Sequence, residues 1–368
     1  MTALRIRPSG SKVWLACPLG LTMQNLYGDR YPAGAAADEG TAAHEVLEAV
    51  IRYENPPTVA KNGVTVTQQM VDEAHSALHG FIEPLCLTDA GEVLSERQLS
   101  LRLPDGTAIT GTADVIVLPP DGKTVHVIDY KYGYSHVPAD SPQLKIYGIA
   151  AAQEFNREVV HLHVIQPRDY TARSPRSYHF TPAAQNDFCD EVIDALRYAH
   201  MPKPYAVAGS HCLRCPGRGH CETLRTASLE FSGACGTDTT APEAVAAELS
   251  VAQQAVDLAT ARLKGLQDEA TYVLSGGGVV PGWALERKPG RQQWKDEQPV
   301  LALAEAFGIL DTVSTRKLIT PLQAQKAGLP AELVKLHTER PMGEPRLVPA
   351  GETLAAKVFS LDQMGEKK

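Results

Sequence analysis

Residues 111–133 read GTADVIVLPPDGKTVHVIDYKYG, and they give the clearest secondary-structure pattern of the sequence. Apolar and β-branched residues lie on both sides of PPDGK, a turn signal at 119–123. The stretch predicts an antiparallel hairpin, which the alternating segment 92–103 extends to three strands. Asp114 lies in one strand of the hairpin and Asp129 in the other. If the strands pair around this turn, the two carboxylates come close together.

Outside the hairpin, helical and strand patterns follow one another in a defined order. Ser141 is a suitable helix N-cap, and Pro142 suits the first helical turn that follows. The predicted elements are a helix at 38–53, the three strands, a helix after Ser141, a strand at 158–167 and a helix at 181–199. This order predicts an α/β fold with a mixed central sheet flanked by helices.

The chain has 368 residues, a length that suggests more than one domain. Composition changes after Cys221, and we expect one domain at 1–230 and a C-terminal extension at 231–368. The extension is predicted to contain a long helix at 242–273, a small hairpin turning at Pro289–Gly290, and short helices. Apolar residues make up 43% of the chain, enough for an ordinary packed core.

The net charge is −8, which argues against a protein that simply coats nucleic acid. It is compatible with local basic patches and with acidic metal ligands. No apolar run approaches the roughly 20 residues that span a bilayer. The N-terminus also lacks an apolar stretch of secretory length. We therefore expect a cytoplasmic protein without a membrane partner.

The sequence Asp129-Tyr130-Lys131 places an acid and a base on one face of its strand, because residues i and i+2 point the same way. With Asp114 beside them, two carboxylates form a site for Mg²⁺ or Mn²⁺. Metal, water and lysine together can hydrolyse a phosphodiester. Taken alone, the Asp-x-Lys pattern occurs often by chance and is more typical of an exposed salt bridge on a strand than of a catalytic site.

The surrounding elements make residues 10–225 resemble the PD-(D/E)xK nuclease superfamily, in its RecB-like branch. The resemblance rests on GTAAHEVLE, GTADVIVL, VIDYKYG and SPQLKIYGIAA, which occur in the order of the family motifs. They contain His44, Asp114, Asp129, Lys131, and the pair Gln143 and Tyr147. The acid before the lysine is Asp129 where a glutamate is also common, and both occur in the superfamily.

This resemblance implies a restriction-endonuclease-like core and a metal-dependent deoxyribonuclease, with exonuclease as the expected activity. It implies that His44, Asp114 and Asp129 hold the catalytic Mg²⁺ or Mn²⁺. Lys131 would then position or activate the attacking water. Gln143 and Tyr147, four residues apart on one helix face, would hold the lysine or the DNA strand.

The chain contains seven cysteines, an odd number that does not suggest a disulfide framework. Cys212, Cys215 and Cys221 lie within ten residues and indicate a metal site. The nuclease resemblance extends to the iron–sulfur members, the AddB-type subunits and the CRISPR-adaptation nucleases. These place one cysteine before the core and three after it, which implies a 4Fe–4S cluster completed by Cys17. Such a cluster would staple the N-terminal helix to the far end of the core.

Zinc remains an alternative, because four thiolates also suit tetrahedral Zn²⁺. His211 or His220 could replace a cysteine, and Cys235 could replace Cys17 in a local zinc knuckle. The remaining two cysteines, Cys86 and Cys189, are expected to be ordinary buried thiols.

DNA, as single strands or duplex ends, is the expected partner. Five arginines are candidates for phosphate contacts: Arg168, Arg173, Arg176, Arg214 and Arg218. The C-terminal part resembles a family found in phages and prophages, which implies replication or recombination in a bacterial host cell beside a single-strand annealing or binding protein. A non-catalytic DNA-binding or scaffolding subunit that retains a nuclease fold is the alternative.

Overall fold

A computed structural model describes residues 4–31, 34–86, 90–169, 174–233, 242–287, 293–313, 320–339 and 346–349. The chain divides into two compact units, Met1–Leu266 and Gln267–Lys368. The domain boundary predicted at residue 230 stays a prediction.

The first unit is built on a five-stranded sheet with the strand order β1-β2-β3-β4-β5. Its strands are β1 Glu92–Arg102, β2 Ala108–Leu118, β3 Thr124–Tyr130, β4 Val159–Ile165 and β5 Arg176–Phe180. The β3–β4 pair is parallel, and the other neighbours are antiparallel. The sheet is therefore mixed, and the predicted α/β class is confirmed, consistent with a restriction-endonuclease-like core.

Helices precede, interrupt and follow the strands. They are α1 Ser11–Trp14, α2 Pro18–Tyr27, α3 Ala35–Ile51, α4 Gln68–Ala77, α5 Glu83–Leu85, α6 Pro142–Phe155, α7 Pro182–Ala199, α8 Glu222–Gly233 and α9 Pro242–Ser275. A π-helical turn spans Leu78–Ile82, and 3₁₀ turns span Pro8–Gly10, Ser210–Arg214 and Pro216–Gly219. Ser141 caps α6 by accepting a hydrogen bond from the Leu144 N–H, as its sequence predicts. Among the described residues, none of the helices has both the length and the apolar character needed to cross a bilayer.

Two hydrophobic clusters cover the two faces of the sheet. On one face, α6 and α7 pack with Trp14 and Leu21 of the N-terminal helices. On the other face, α3 and α4 pack against residues such as Val115 and Ile128. The sheet is thus the middle layer of three.

β1 and β2 are both irregular at one pair of opposite positions. Ala113 and Ile116 belong to the same cluster although they are three residues apart, so strict alternation fails between them. In β1, Glu96 has a φ of 48°, a left-handed conformation that a glutamate rarely adopts. The two irregular positions, Glu96 and Asp114, face each other in the β1–β2 register between the pairs Ser95–Val115 and Arg97–Ala113.

The second unit contains two small sheets and short helices. β6 Trp283–Glu286 pairs with β9 Arg346–Pro349, and β7 Gln293–Trp294 pairs with β8 Thr338–Glu339. The helices are α10 Glu297–Ala306, α11 Leu310–Val313, α12 Pro321–Lys326 and α13 Ala331–Leu336. The turn of the predicted hairpin, Pro289–Gly290, lies outside the described residues, and the strands on either side of it pair with other strands instead.

Candidate active site

Lys131 and Asp129 form the centre of the site. The ammonium of Lys131 donates a hydrogen bond to Asp129 Oδ1 at 2.7 Å. Only 5% of the Asp129 side chain is exposed, against 30% for Lys131. The amide of Gln143, in the first turn of α6, approaches the same carboxylate oxygen at 3.4 Å. The i, i+2 arrangement therefore brings acid and base together as the sequence predicts, and α6 closes the site from one face of the sheet.

Asp114 approaches the same region from β2. Its Oδ2 accepts a hydrogen bond from the backbone N–H of Tyr130 at 2.8 Å, directly beside Asp129. Its Oδ1 lies 3.4 Å from His44 Nδ1. The predicted helical histidine and the predicted strand aspartate are thus in direct contact, although 70 residues of sequence separate them.

Glu96 completes this group and was not predicted. Its carboxylate lies 3.8 Å from His44 Nδ1. One ligand atom from each of His44, Glu96 and Asp114 falls within 4.8 Å of the others, a spacing that one metal ion could bridge. The left-handed backbone of Glu96 carries the side chain to this position, and non-glycine residues in that conformation cluster at functional sites.

The group of His44, Glu96 and Asp114 places two carboxylates around one imidazole, and their charges change the pKa values in the site. Burial lowers the pKa of His44, but the charge and hydrogen bond of Asp114 outweigh it and raise that pKa to about 10. Burial also raises the pKa of Asp114, but the charge and hydrogen bond of His44, the charge of Lys131 and the hydrogen bond from the Tyr130 N–H together outweigh it and hold that pKa below its usual value. Burial, reinforced by the charge of Asp114 and opposed by Lys131, raises the pKa of Asp129 to about 6.

The acidic neighbours of His44 therefore keep its imidazole protonated, and the charge of Asp114 makes the Asp129 carboxyl harder to ionise. A divalent cation would replace that proton, because metal ligation by histidine requires the neutral imidazole. The donor set of two carboxylates and an imidazole, with Asp129 adjacent, fits Mg²⁺ or Mn²⁺. His44 and Glu96 also line an open pocket of about 510 Å³, so the group is reachable from solvent.

Tyr147 lies one turn of α6 beyond Gln143 and faces the same carboxylates. Burial, together with the charges of Asp114 and Asp129, raises the pKa of its hydroxyl. That hydroxyl would lie 2.7 Å from a Cβ at Gly111 in β2, so only glycine admits the tyrosine there. The i, i+4 pair therefore lies against the site as its spacing predicts.

Two of the candidate DNA-binding arginines are engaged inside the protein. Arg168 forms a bidentate ion pair with Glu39 of α3, at 2.7 and 2.9 Å, and its guanidinium lies 4.2 Å from the centre of the Tyr132 ring. Arg176 donates to Asp169 and to Gln166. Both also donate hydrogen bonds to backbone carbonyls of the segment that follows Lys131, Arg168 to Tyr132 and Arg176 to Val137. Arg173 lies outside the described residues.

The four predicted cluster ligands line one small apolar pocket: Cys17, Cys212, Cys215 and Cys221. Three of their sulfurs accept backbone hydrogen bonds at 3.4 Å, from the N–H groups of Val207, Gly209 and Leu224. Oriented N–H donors of this kind stabilise thiolate sulfur.

Bare thiolates are disfavoured in this pocket. Burial raises the pKa of Cys215 to about 12, partly offset by a backbone hydrogen bond and reinforced by the neighbouring sulfurs. Four thiolates in this pocket would therefore need a bound cation or cluster. Thiolate donors of this number suit iron–sulfur or zinc, so the residues fit either group.

The other possible ligands are placed differently. His211 lines the same pocket, but its Nε2 lies 2.9 Å from the Val207 carbonyl oxygen. His220 stacks on Tyr27 with ring centres 4.3 Å apart. Cys235 lies outside the described residues. Cys86 and Cys189 are half-buried free thiols.

Comparison with solved structures finds remote likeness over part of the chain. The crystal structure of SSO0001 aligns with 60% of this chain and 88% of its own, at 15% identity and a TM-score of 0.31. A protein from Eubacterium rectale described as a "Putative exonuclease" aligns with 61% of this chain and 88% of its own, at 12% identity and a TM-score of 0.36. At the level of sequence, residues 5–353 match the family described as "Protein of unknown function (DUF2800)". The chain therefore belongs to the DUF2800 family.

Proposed function

We propose that this protein is a metal-dependent DNA nuclease of the RecB-like PD-(D/E)xK type, acting as an exonuclease. One observation carries the proposal. The Lys131–Asp129 pair stands beside Asp114, which itself lies with His44 and Glu96 close enough to share one metal ion. A solvated salt bridge on a strand would not need a buried aspartate, a second carboxylate and an imidazole around it.

In this proposal His44, Glu96, Asp114 and Asp129 would hold Mg²⁺ or Mn²⁺, which supplies Lewis-acid activation of the phosphodiester when bound. Lys131 has three N–H donors, and within the described part of the chain one of them hydrogen-bonds to Asp129. The others are available to the attacking water or to a phosphoryl oxygen that gains charge. Water adds to phosphorus, the P–O bond to the leaving nucleotide breaks, and the leaving oxygen takes up a proton. Gln143 and Tyr147 keep the acidic pair in position.

The same proposal includes a 4Fe–4S cluster on Cys17, Cys212, Cys215 and Cys221, with Zn²⁺ as the alternative. Its support is the common pocket of the four residues and the N–H donors aimed at three of the sulfurs. Because Cys17 is far from the others in sequence, the cluster would close a loop of about 200 residues and contribute several kcal/mol to stability.

We also propose the biological setting that the sequence resemblance implies. The enzyme would act in phage-type DNA replication or recombination in the cytoplasm of a bacterial host, beside a single-strand annealing or binding protein. Co-purification with such a protein encoded by the same phage or prophage would support this, and its absence from the complexes formed would count against it.

The proposed activity is tested with end-labelled single-stranded and double-stranded DNA, incubated with Mg²⁺ or Mn²⁺. Wild type should release short products from an end, and Asp129→Asn should release none while remaining folded. Asp140→Asn, at an exposed position in the segment before α6, is the matched control and should cut normally. A wild-type protein that binds DNA but neither binds Mn²⁺ nor cuts any end would favour the non-catalytic scaffold instead.

A further inference from the structure

We propose that the arginine-lined pocket between the N-terminal segment and the cysteine segment binds phosphates of a single-stranded DNA chain. The pocket has a volume of about 390 Å³, and its lining includes Arg5, Arg7 and Arg214. It is separate from the metal site, and its identification as a DNA contact rests on the proposed nuclease function. On a chain with a net charge of −8, three guanidinium groups around one pocket form a distinct local attraction for a polyanion.

The N-terminal side of the pocket is held in a fixed conformation. The backbone N–H of Arg5 donates to Asn25 Oδ1, and Asn25 Nδ2 donates back to the Arg5 carbonyl. The indole N–H of Trp14 donates to the Arg7 carbonyl at 3.1 Å. Arg5 and Arg7 both line the pocket, and Arg7 has an extended backbone. Two cationic side chains are thus presented together by an anchored backbone.

The third arginine comes from the opposite end of the first unit's chain. Arg214 lies between Cys212 and Cys215 in the 3₁₀ turn that starts at Ser210, so the cysteine pocket determines where its backbone lies. Among the described residues that line the pocket, Asp29 is the only acidic one. It lies 3.6 Å from Arg7, and 88% of its side chain is exposed, so the ion pair is solvated and weak. The pocket therefore keeps an excess of positive charge.

The location of the pocket suits a strand that also reaches the metal site. Pro8 follows Arg7 and packs close to Gly111, since a Cβ added at Gly111 would lie 2.9 Å from the Pro8 ring and 2.7 Å from the Tyr147 hydroxyl. Gly111 precedes Asp114 by three residues in β2, which is roughly 10 Å along a strand. A DNA strand with its scissile phosphate at Asp114 would have phosphates a few nucleotides away within reach of the pocket.

The test measures binding without cleavage. A 5′-fluorescein single-stranded 20-mer is titrated by fluorescence anisotropy, in buffer without added divalent metal, at several salt concentrations. The proteins are wild type, Arg5→Gln/Arg7→Gln, Arg214→Gln, and Arg197→Gln as the control. Arg197 lies on α7, is 64% exposed and pairs with Asp194, so its substitution removes the same charge from a different surface.

The double variant should bind the 20-mer at least about ten-fold more weakly than wild type. Affinity falls as salt rises, and this dependence of log affinity on log salt should become shallower by about 0.7 for each phosphate that the protein no longer neutralises. Arg214→Gln should lower the slope by about half as much, and Arg197→Gln should leave it unchanged. Equal slopes for all four proteins would overturn the proposal. Unlabelled competitor strands with and without a 5′-phosphate then distinguish an internal phosphate from a terminal one. If the arginine substitutions weaken binding only of the competitor that carries the 5′-phosphate, the pocket holds a strand terminus and the proposal is overturned.

Failure of the nuclease proposal gives a different result. If wild type cleaves no DNA with Mg²⁺ or Mn²⁺ but the salt slopes fall as stated, the pocket remains a DNA site on a non-catalytic protein. If wild type cleaves and the slopes do not change, the pocket proposal fails and the nuclease proposal stands. All three arginines are exposed, and equal thermal unfolding temperatures check that the variants are folded.

Discussion

The backbone N–H of Tyr130 donates a hydrogen bond to Asp114 Oδ2 at 2.8 Å, just beyond the last paired residues of β2 and β3, Val115 and Ile128. At this step a side-chain carboxylate takes the role that a backbone carbonyl has in the rest of the ladder. The ladder therefore ends where the site begins. The hydrogen bond also fixes Asp114 beside Asp129, the residue that precedes Tyr130.

This relationship separates the structural and the functional roles of Asp114. Asp114→Asn keeps an acceptor oxygen for the Tyr130 N–H, whereas Asp114→Ala leaves that buried N–H unpaired. We expect Asp114→Ala to lower the free energy of unfolding by about 1–3 kcal/mol and Asp114→Asn to lie close to wild type. Both should lose Mn²⁺ binding. Urea unfolding and calorimetric Mn²⁺ titration measure the two effects, and wild-type Mn²⁺ affinity in Asp114→Asn would exclude Asp114 as a ligand.

Glu96 offers a test of whether its strained backbone serves metal binding. Glu96→Gly should relieve the left-handed conformation, so the metal-free variant should be as stable as wild type or more stable by about 1 kcal/mol. Its Mn²⁺ affinity should fall at least about ten-fold. Gln98→Gly, two residues along the same exposed part of β1, is the control and should lose about 0.5–1 kcal/mol with Mn²⁺ affinity unchanged. Equal destabilisation of the two variants would contradict strain at Glu96.

The cysteine pocket predicts a difference between ligand and non-ligand cysteines. Protein purified without oxygen should carry about four iron atoms and show a broad visible absorbance that bleaches on reduction. Cys212→Ser should lose the iron and the colour and should unfold at a lower temperature, because the long loop is no longer closed. Cys189→Ser, at a half-buried position away from the pocket, should retain both.

Metal analysis distinguishes the two candidate groups at this pocket. A colourless wild-type protein with stoichiometric zinc, absent from Cys212→Ser, would replace iron–sulfur with a zinc staple. Iron retained in Cys212→Ser would show that the four residues are not the ligands.

A row of histidines on β3, β4 and β5 predicts sensitivity to acid. His126 Nδ1 and His163 Nε2 are 3.0 Å apart, and His163 Nδ1 lies 2.8 Å from Ser177 Oγ; the ring of His161 stacks between those of His126 and His179. Burial, together with the charges of His126 and His161, lowers the pKa of His163 to about 3. The folded state therefore keeps His163 neutral where the unfolded chain, with a pKa near 6.5, is protonated.

Above pH 6.5 His163 is neutral in both the folded and the unfolded chain, and the folded state has its full stability. As the pH falls from 6.5 toward 3, only the unfolded chain takes up a proton at this residue, so the free energy of unfolding decreases. His163→Gln is neutral at every pH, so its free energy of unfolding should fall less steeply below pH 6.5, by up to about 1.36 kcal/mol per pH unit. Denaturant unfolding between pH 8 and pH 4.5 measures this slope. Parallel curves for wild type and His163→Gln would show that His163 is not the titrating group.

The parts of the fold that could be predicted from sequence are those set by local chemistry. The turn signal at 119–123 gives the β2–β3 hairpin, and Ser141 with Pro142 gives the start of α6. Strand geometry alone puts Asp129 and Lys131 on one face. The order of these elements then brings His44 to Asp114, because α3 covers one face of the sheet.

The features that could not be predicted depend on contacts between distant residues. Glu96 reads as an ordinary residue of an alternating strand, and its role emerges only when β1 pairs with β2 and the alternation breaks. Arg168 reads as a loop cation, but Glu39 neutralises it from 129 residues away. The pocket of Arg5, Arg7 and Arg214 joins segments about 200 residues apart. Sequence patterns report periodicity and turns, and none of these three relationships has a periodic signal.

The decisive measurement for the proposed catalytic site is the rate of metal-dependent DNA cleavage by Lys131→Gln. The glutamine amide can still donate a hydrogen bond to Asp129, so the fold and Mn²⁺ binding should be preserved, while the positive charge at the reacting phosphate is removed. With saturating enzyme and Mn²⁺, single-turnover cleavage of end-labelled DNA should be at least about 100-fold slower than in wild type. A folded, Mn²⁺-binding Lys131→Gln protein that cleaves DNA within about two-fold of the wild-type rate would contradict the proposed catalytic site.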